Sequence, residues 1–169
     1  MTISDISDIS ETVLDNPLDT LEQVALNQDW SFDRPGESEM DFVIGGLWSD
    51  YALSLNWRDD LEVLHLAAEV DVRVSPAKRS GIVDLIALIN EQLFVGHFDL
   101  WSEEGVLLYR HGLMLQGGAQ TTRHQCEELV SAAVSACDRF YPAFQYHIWG
   151  GRPAHEALAA ALFETQGHA

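Results

Sequence analysis

The sequence predicts an α+β fold built on an antiparallel sheet with helices. Three observations predict it. Helical and extended patterns fall in separate blocks, with no repeated strand–helix–strand alternation. Leu64, Leu66, Ala68, Val70, Val72 and Val74 hold the even positions of one run, and His65, Glu69, Asp71 and Arg73 hold odd ones. That is the period of a strand with one buried and one polar face. Ile82, Leu85, Ile86, Ile89 and Leu93 then recur with the spacing of a helix.

Taken in order, residues 1–15 carry Asp5, Asp8, Glu11 and Asp15 with no base, and repeat Ile-Ser-Asp. They are expected to form a mobile acidic tail ahead of a single domain over 16–169. Asn16-Pro17 opens the first helix, with Asn16 as cap and Pro17 at the first helical position. Leu18, Leu21 and Ala25 form its inner face, and it should stop near Gln28. Trp30 to Val74 reads as three or four strands joined by short turns, hence an antiparallel meander. Arg34-Pro35-Gly36 and Arg58-Asp59-Asp60 are turn signals, and Tyr51, Leu53, Leu55 and Trp57 share one parity.

Ser75-Pro76 repeats the cap-plus-proline start for a second helix. Val83 and Leu88 widen its apolar stripe beyond one contact face, which suits a helix packed on two sides. The second side is expected to be the sheet's other flank or another subunit. Gly96 ends this helix, and His97–Trp101 and Val106–Leu115 form a hairpin around a loop at 102–105. A third helix starts at Thr121 or Thr122 and is expected to stop at Pro142, because an interior proline removes a helical hydrogen bond. An aromatic segment, 144–149, follows, and Pro153 opens a last helix. The order is α-β-β-β-α-β-β-α plus a C-terminal helix.

Composition narrows the work such a fold can do. Against 27 acidic residues the chain sets 9 lysines and arginines, a formal charge of −18. A nucleic-acid binder needs a basic face to displace phosphate counterions, and an anionic membrane surface makes the same demand. Neither partner is expected. The N-terminus lacks the basic start and apolar core of a signal peptide, and no run of about 18 apolar residues occurs. Cys126 and Cys137 lie on one helix, roughly 16 Å apart along its axis, too far for a disulfide. Buried reduced thiols in a cytoplasmic protein are the expectation.

No motif carries chemistry outright. Gly45-Gly46 and Gly117-Gly118 lack the lysine and spacing of a phosphate loop, and there is no Gly-x-Ser-x-Gly elbow. Seven histidines are present, none in a His-Glu-x-x-His pair. One constellation is geometrically open: His97 and Asp99 share a strand face, and His111 on the partner strand lies diagonal to His97. Three such groups could hold a divalent ion, so the enzymatic alternative is a metal- or small-ligand-dependent enzyme using His97, Asp99 and His111. Adjacent carboxylates such as Asp59-Asp60, Glu103-Glu104 and Glu127-Glu128 read as solvated charge. Trp48 and Trp149 stand beside chain breaks, where large aromatics either cover a core rim or anchor a partner.

The stretch from Tyr141-Pro142-Ala143-Phe144 through His147-Ile148-Trp149-Gly150-Gly151-Arg152-Pro153 to Leu158 is distinctive. With the Asn16-Pro17-Leu18 start and the long strand before Ser75-Pro76, it resembles the YbjN family of bacterial proteins over roughly residues 14–166. The resemblance implies a regulator in sensory transduction or stress regulation. It also implies a fold similar to class I type III secretion chaperones, commonly a homodimer, and it brings no catalytic residues. The expected function is therefore a cytoplasmic, non-enzymatic homodimer that binds a protein client through apolar grooves and strand addition, without a cofactor. Ile82, Val83, Leu85, Ile86, Leu88 and Ile89 are the expected dimer interface, and Trp48 and Trp149 the expected partner anchors.

Overall fold

The computed structural model describes residues 16–166. The expected acidic tail lies outside the described residues. Helix α1 is Pro17–Asn27. The Asn16 side chain accepts a hydrogen bond from the Leu18 amide at 3.0 Å. This supplies a partner to one of the orphan amides at the helix start, while Pro17 has none to satisfy. Leu18, Leu21, Val24 and Ala25 form its buried face.

Four strands follow: β1 Ser31–Gly36, β2 Glu39–Gly45, β3 Asp50–Arg58 and β4 Val63–Arg73. The expected turn at Arg34-Pro35-Gly36 is instead the end of β1, and the chain reverses at Glu37-Ser38. The ladder with β2 slips register between Asp33 and Gly36. Pro35 has no amide to donate, and an edge strand at an irregularity is where a sheet tolerates it. A single 3-10 turn at Pro76–Lys78 then leads into α2, Arg79–Asn90. The Ser75 side chain makes no capping bond; its carbonyl accepts from the Lys78 amide instead, at 3.0 Å. The hairpin is β5 His97–Trp101 and β6 Val106–Met114, with the expected loop. At that loop Gly105 has φ +67, and a Cβ there would sit 2.4 Å from the Val74 carbonyl oxygen, so only glycine lets the hairpin close against the end of β4.

Helix α3, Arg123–Ile148, opens with a capping box between Thr122 and Gln125. It does not stop at Pro142: residues 144–148 of the expected aromatic segment are its last turn and a half, and Trp149 is its C-cap. The acceptor that Pro142 leaves without an intrahelical donor is the Asp138 carbonyl, four residues back. Trp48 supplies the missing donor: its indole N–H reaches that carbonyl at 3.0 Å. A tertiary contact thus satisfies the group whose loss would otherwise end the helix. Helix α4 is Ala154–Gln166.

The six strands form one antiparallel sheet in the order β1-β2-β3-β4-β6-β5. From β4 the chain crosses through α2 to the far edge, and β6 returns between β4 and β5. All packing of helix on sheet falls on one face: α1 meets β3, α3 meets β4 and β6, and α2 meets β5. Cross-strand rows on that side read Phe42–Leu53–Ala68–Tyr109–Phe98 and Met40–Leu55–Leu66–His111. Phe98 stacks edge-on against Tyr109, Phe140 and Phe144, tying β5 and β6 to α3. Cys126 and Cys137 are both free and buried on α3, and burial pushes the Cys137 thiol up to about 12.

Candidate functional site

The helix-free side of the sheet is the candidate site. Its rows follow from the register, because directly paired residues share a face. The central row is Asp41–Ser54–Ala67–Arg110–His97. Beside it run Val43–Ala52–Glu69–Leu108–Asp99 and Glu39–Asn56–His65–Gly112. The small side chains Ala52, Ser54 and Ala67 leave the middle of this face low, while Arg58, Trp101 and Glu104 rise around it. The result is an open trough of about 560 Å³.

The three arginines on this face are each paired with a carboxylate. Arg110 donates to Asp99 at 3.0 Å and, through Nε, to His65 Nε2 at 3.2 Å. Arg58 holds Asp60 through two bonds of 2.9 and 2.8 Å, and Arg73 pairs with Glu69 at 2.8 Å. Such solvent-exposed pairs add little to stability, because water and salt screen them. They neutralise the rim more than they rigidify it. Burial first, and then the charge of Arg110, lowers the His65 pKa. That direction fits a neutral imidazole whose Nε2 accepts the Arg110 hydrogen bond. Ser54 donates to Asp41 at 2.7 Å, with no third group oriented behind the pair. The face can bind by shape and hydrogen bonds, and it assembles no nucleophile, base and electrostatic stabiliser around one point.

The expected metal constellation does not assemble. His97 pairs with Arg110 and Asp99 with Leu108, as the loop length predicts. His111, one residue further, therefore takes the opposite parity and lies in the row of Leu55 and Leu66 on the helix side. Asp99 is already engaged by Arg110. Among the described residues no group of three or more His, Cys, Asp or Glu is placed to hold a metal ion. The diagonal reading failed because a one-residue offset across a ladder changes the face.

The expected dimer residues separate by exposure. Ile82, Leu85 and Ile89 are fully buried in the chain's own core, so they have no area left for a twin. Ile86 and Leu88 are partly buried against that core, and Val83 is 39% exposed. The second side that the wide stripe called for is supplied by α4, which packs on α2. Of the two expected anchors, Trp48 is held by its bond to Asp138, while Trp149 at the end of α3 is 81% exposed.

Strand addition meets a barrier at β5. Asn90, the last residue of α2, donates to the Phe98 carbonyl at 3.1 Å and accepts from the Phe98 amide at 2.8 Å. The Asp99 side chain accepts the Leu100 amide at 2.9 Å. Neither of these edge-capping roles nor the Asp138 anchor was found from sequence. The signal available was the proline four residues after Asp138, which marks its carbonyl as needing an outside donor.

No curated protein matches the chain. The crystal structure of YbjN from E. coli aligns with 89% of this chain and 92% of that one, at 15% identity and a TM-score of 0.49. The family model described as "Putative bacterial sensory transduction regulator" matches residues 17–146, most of the chain from the start of α1 to the last turn of α3, and the chain therefore belongs to the YbjN family.

Proposed function

We propose that this chain is a non-enzymatic regulatory protein that works as a homodimer and binds a client polypeptide, in a chaperone-like manner, on the open face of its sheet. The observation that carries this reading is the uncovered trough. Every helix that meets the sheet packs on one face, and the other keeps a low floor of Ala52, Ser54 and Ala67 beside Trp101 and Leu108. Arg110, Arg58 and Arg73 are already held by carboxylates, so a guest need not satisfy those cations. Apolar floor and polar rim together suit a segment of chain laid across the strands. Two buried free thiols are in keeping with a reducing, cytoplasmic setting. Family membership supports a role in sensory transduction. The likeness to type III secretion chaperones stands as part of the same proposal, with Trp149 as a further anchor outside the trough.

Placing a photo-crosslinking amino acid at Ala67 in the full chain tests this. Irradiation in the native cells should give an adduct of discrete mass with a second polypeptide. The same amino acid at Glu128, exposed on α3, should not. No adduct at position 67, or the same adduct from both positions, defeats the reading.

A further inference from the structure

The turn after α2 carries an apolar feature that the trough does not explain. Phe94 is fully exposed and Val95 is 53% exposed. Leaving a phenylalanine in water forgoes about 1.5–3 kcal/mol relative to burying it. Beside it lies a recess of about 250 Å³, between this turn and the outer stripe of α3. Ala132, Ser135, Ala136 and Arg139 line it at helical spacing, and Phe140 and Tyr109 lie deeper. A closed apolar cavity of ~150 Å³ takes a benzene molecule, so this open recess has room for a phenyl ring.

We propose that two copies of this chain pair here, with Phe94 of each protomer seated in the recess of the other. The inference rests on the homodimer reading above and names its surface. Phe94 and Val95 form the near wall of the recess, so a projecting ring and a recess large enough for one stand side by side on one molecule. A two-fold axis between them fills both recesses in one step, which is the requirement of a self-complementary interface. Charge agrees with shape. Glu91 caps the C-terminal end of α2, where the helix dipole disfavours a carboxylate. Arg139 at the recess stacks its guanidinium over Phe140 at 5.0 Å. Among the described residues neither Glu91 nor Arg139 forms an ion pair. Glu91 lies three residues before Phe94, just past the end of α2, and in the proposed pairing each carboxylate meets the partner's guanidinium. In a chain of charge −18, that pairing also removes part of the repulsion between two like molecules.

Sedimentation of the full chain over a range of concentrations tests the assignment. Phe94→Asp and Ala132→Arg should each raise the dimer Kd at least tenfold. Phe94 is exposed and Ala132 half-buried, and an unchanged circular dichroism spectrum below the melting transition will show that the fold is kept. Arg139→Glu should weaken the dimer, and adding Glu91→Arg should recover it. If the unaltered chain is a monomer at every concentration, the homodimer reading and this surface fall together. If it is a dimer whose Kd does not respond to Phe94→Asp or to Ala132→Arg, the homodimer stands and this surface is overturned.

Discussion

At Asp138 one residue does the work of three. Its carboxylate accepts from the Leu47 amide and the Tyr51 hydroxyl, both at 2.8 Å, and its carbonyl takes the Trp48 indole. A Cβ on Gly46 would lie 2.5 Å from the same carboxylate, so the turn must approach with no side chain there. Burial, followed by the bond to Asp138, raises the Tyr51 pKa well above the usual phenol range and keeps the hydroxyl a donor. Replacing Asp138 by Ala should therefore cost about 2–3 kcal/mol in urea unfolding, since the buried Tyr51 hydroxyl loses its acceptor. Asp138→Asn, which keeps a side-chain carbonyl, should cost less. None of this was visible in sequence order, because the partners lie about ninety residues apart. The sequence shows that Pro142 cannot donate; it does not show who donates in its place.

Among the elements, the periodic ones were legible and the punctuated ones less so. The even-odd pattern of β4 and the hairpin register at His97–Arg110 follow directly from spacing. Local signals misled where tertiary structure supplies what the local chain lacks, at Pro142 in α3 and at Pro35 in β1. The candidate site was less legible still. The sequence shows which residues share a parity in each strand, but which face the helices cover depends on the crossover from β4 to β5. The edge of β5 is a case of its own. The Asn90 amide presents a donor and an acceptor to Phe98 as a neighbouring strand would. Asn90→Ala should cost about 1–3 kcal/mol for two lost bonds with the backbone groups left bare. It should also speed aggregation on warming, read by light scattering, because an unpaired edge recruits other strands.

For the molecule as a whole, charge opposes compactness. Twenty-seven acids share one chain with nine lysines and arginines, and several of those bases are held in ion pairs at the surface. Salt screens the diffuse repulsion more widely than it weakens these few short contacts. Raising sodium chloride from about 20 mM to about 500 mM should increase the melting temperature by roughly 2–4 °C, the shift that ~1 kcal/mol makes in a chain of this size. A fall in melting temperature would mean that the local pairs outweigh the net field.

The sealed flank at Asn90 bears on what any visitor can be read by. On the opposite flank Pro35 offers no amide and Arg34 turns inward to Asp19 and Glu22. With Phe98 capped on one margin and no amide at Pro35 on the other, a guest has fewer backbone groups to zip onto and is held more by what its own side groups meet on the broad side. Recognition of that kind is particular: a single exchanged residue in the visitor should change its residence time, where a zippered strand would tolerate many.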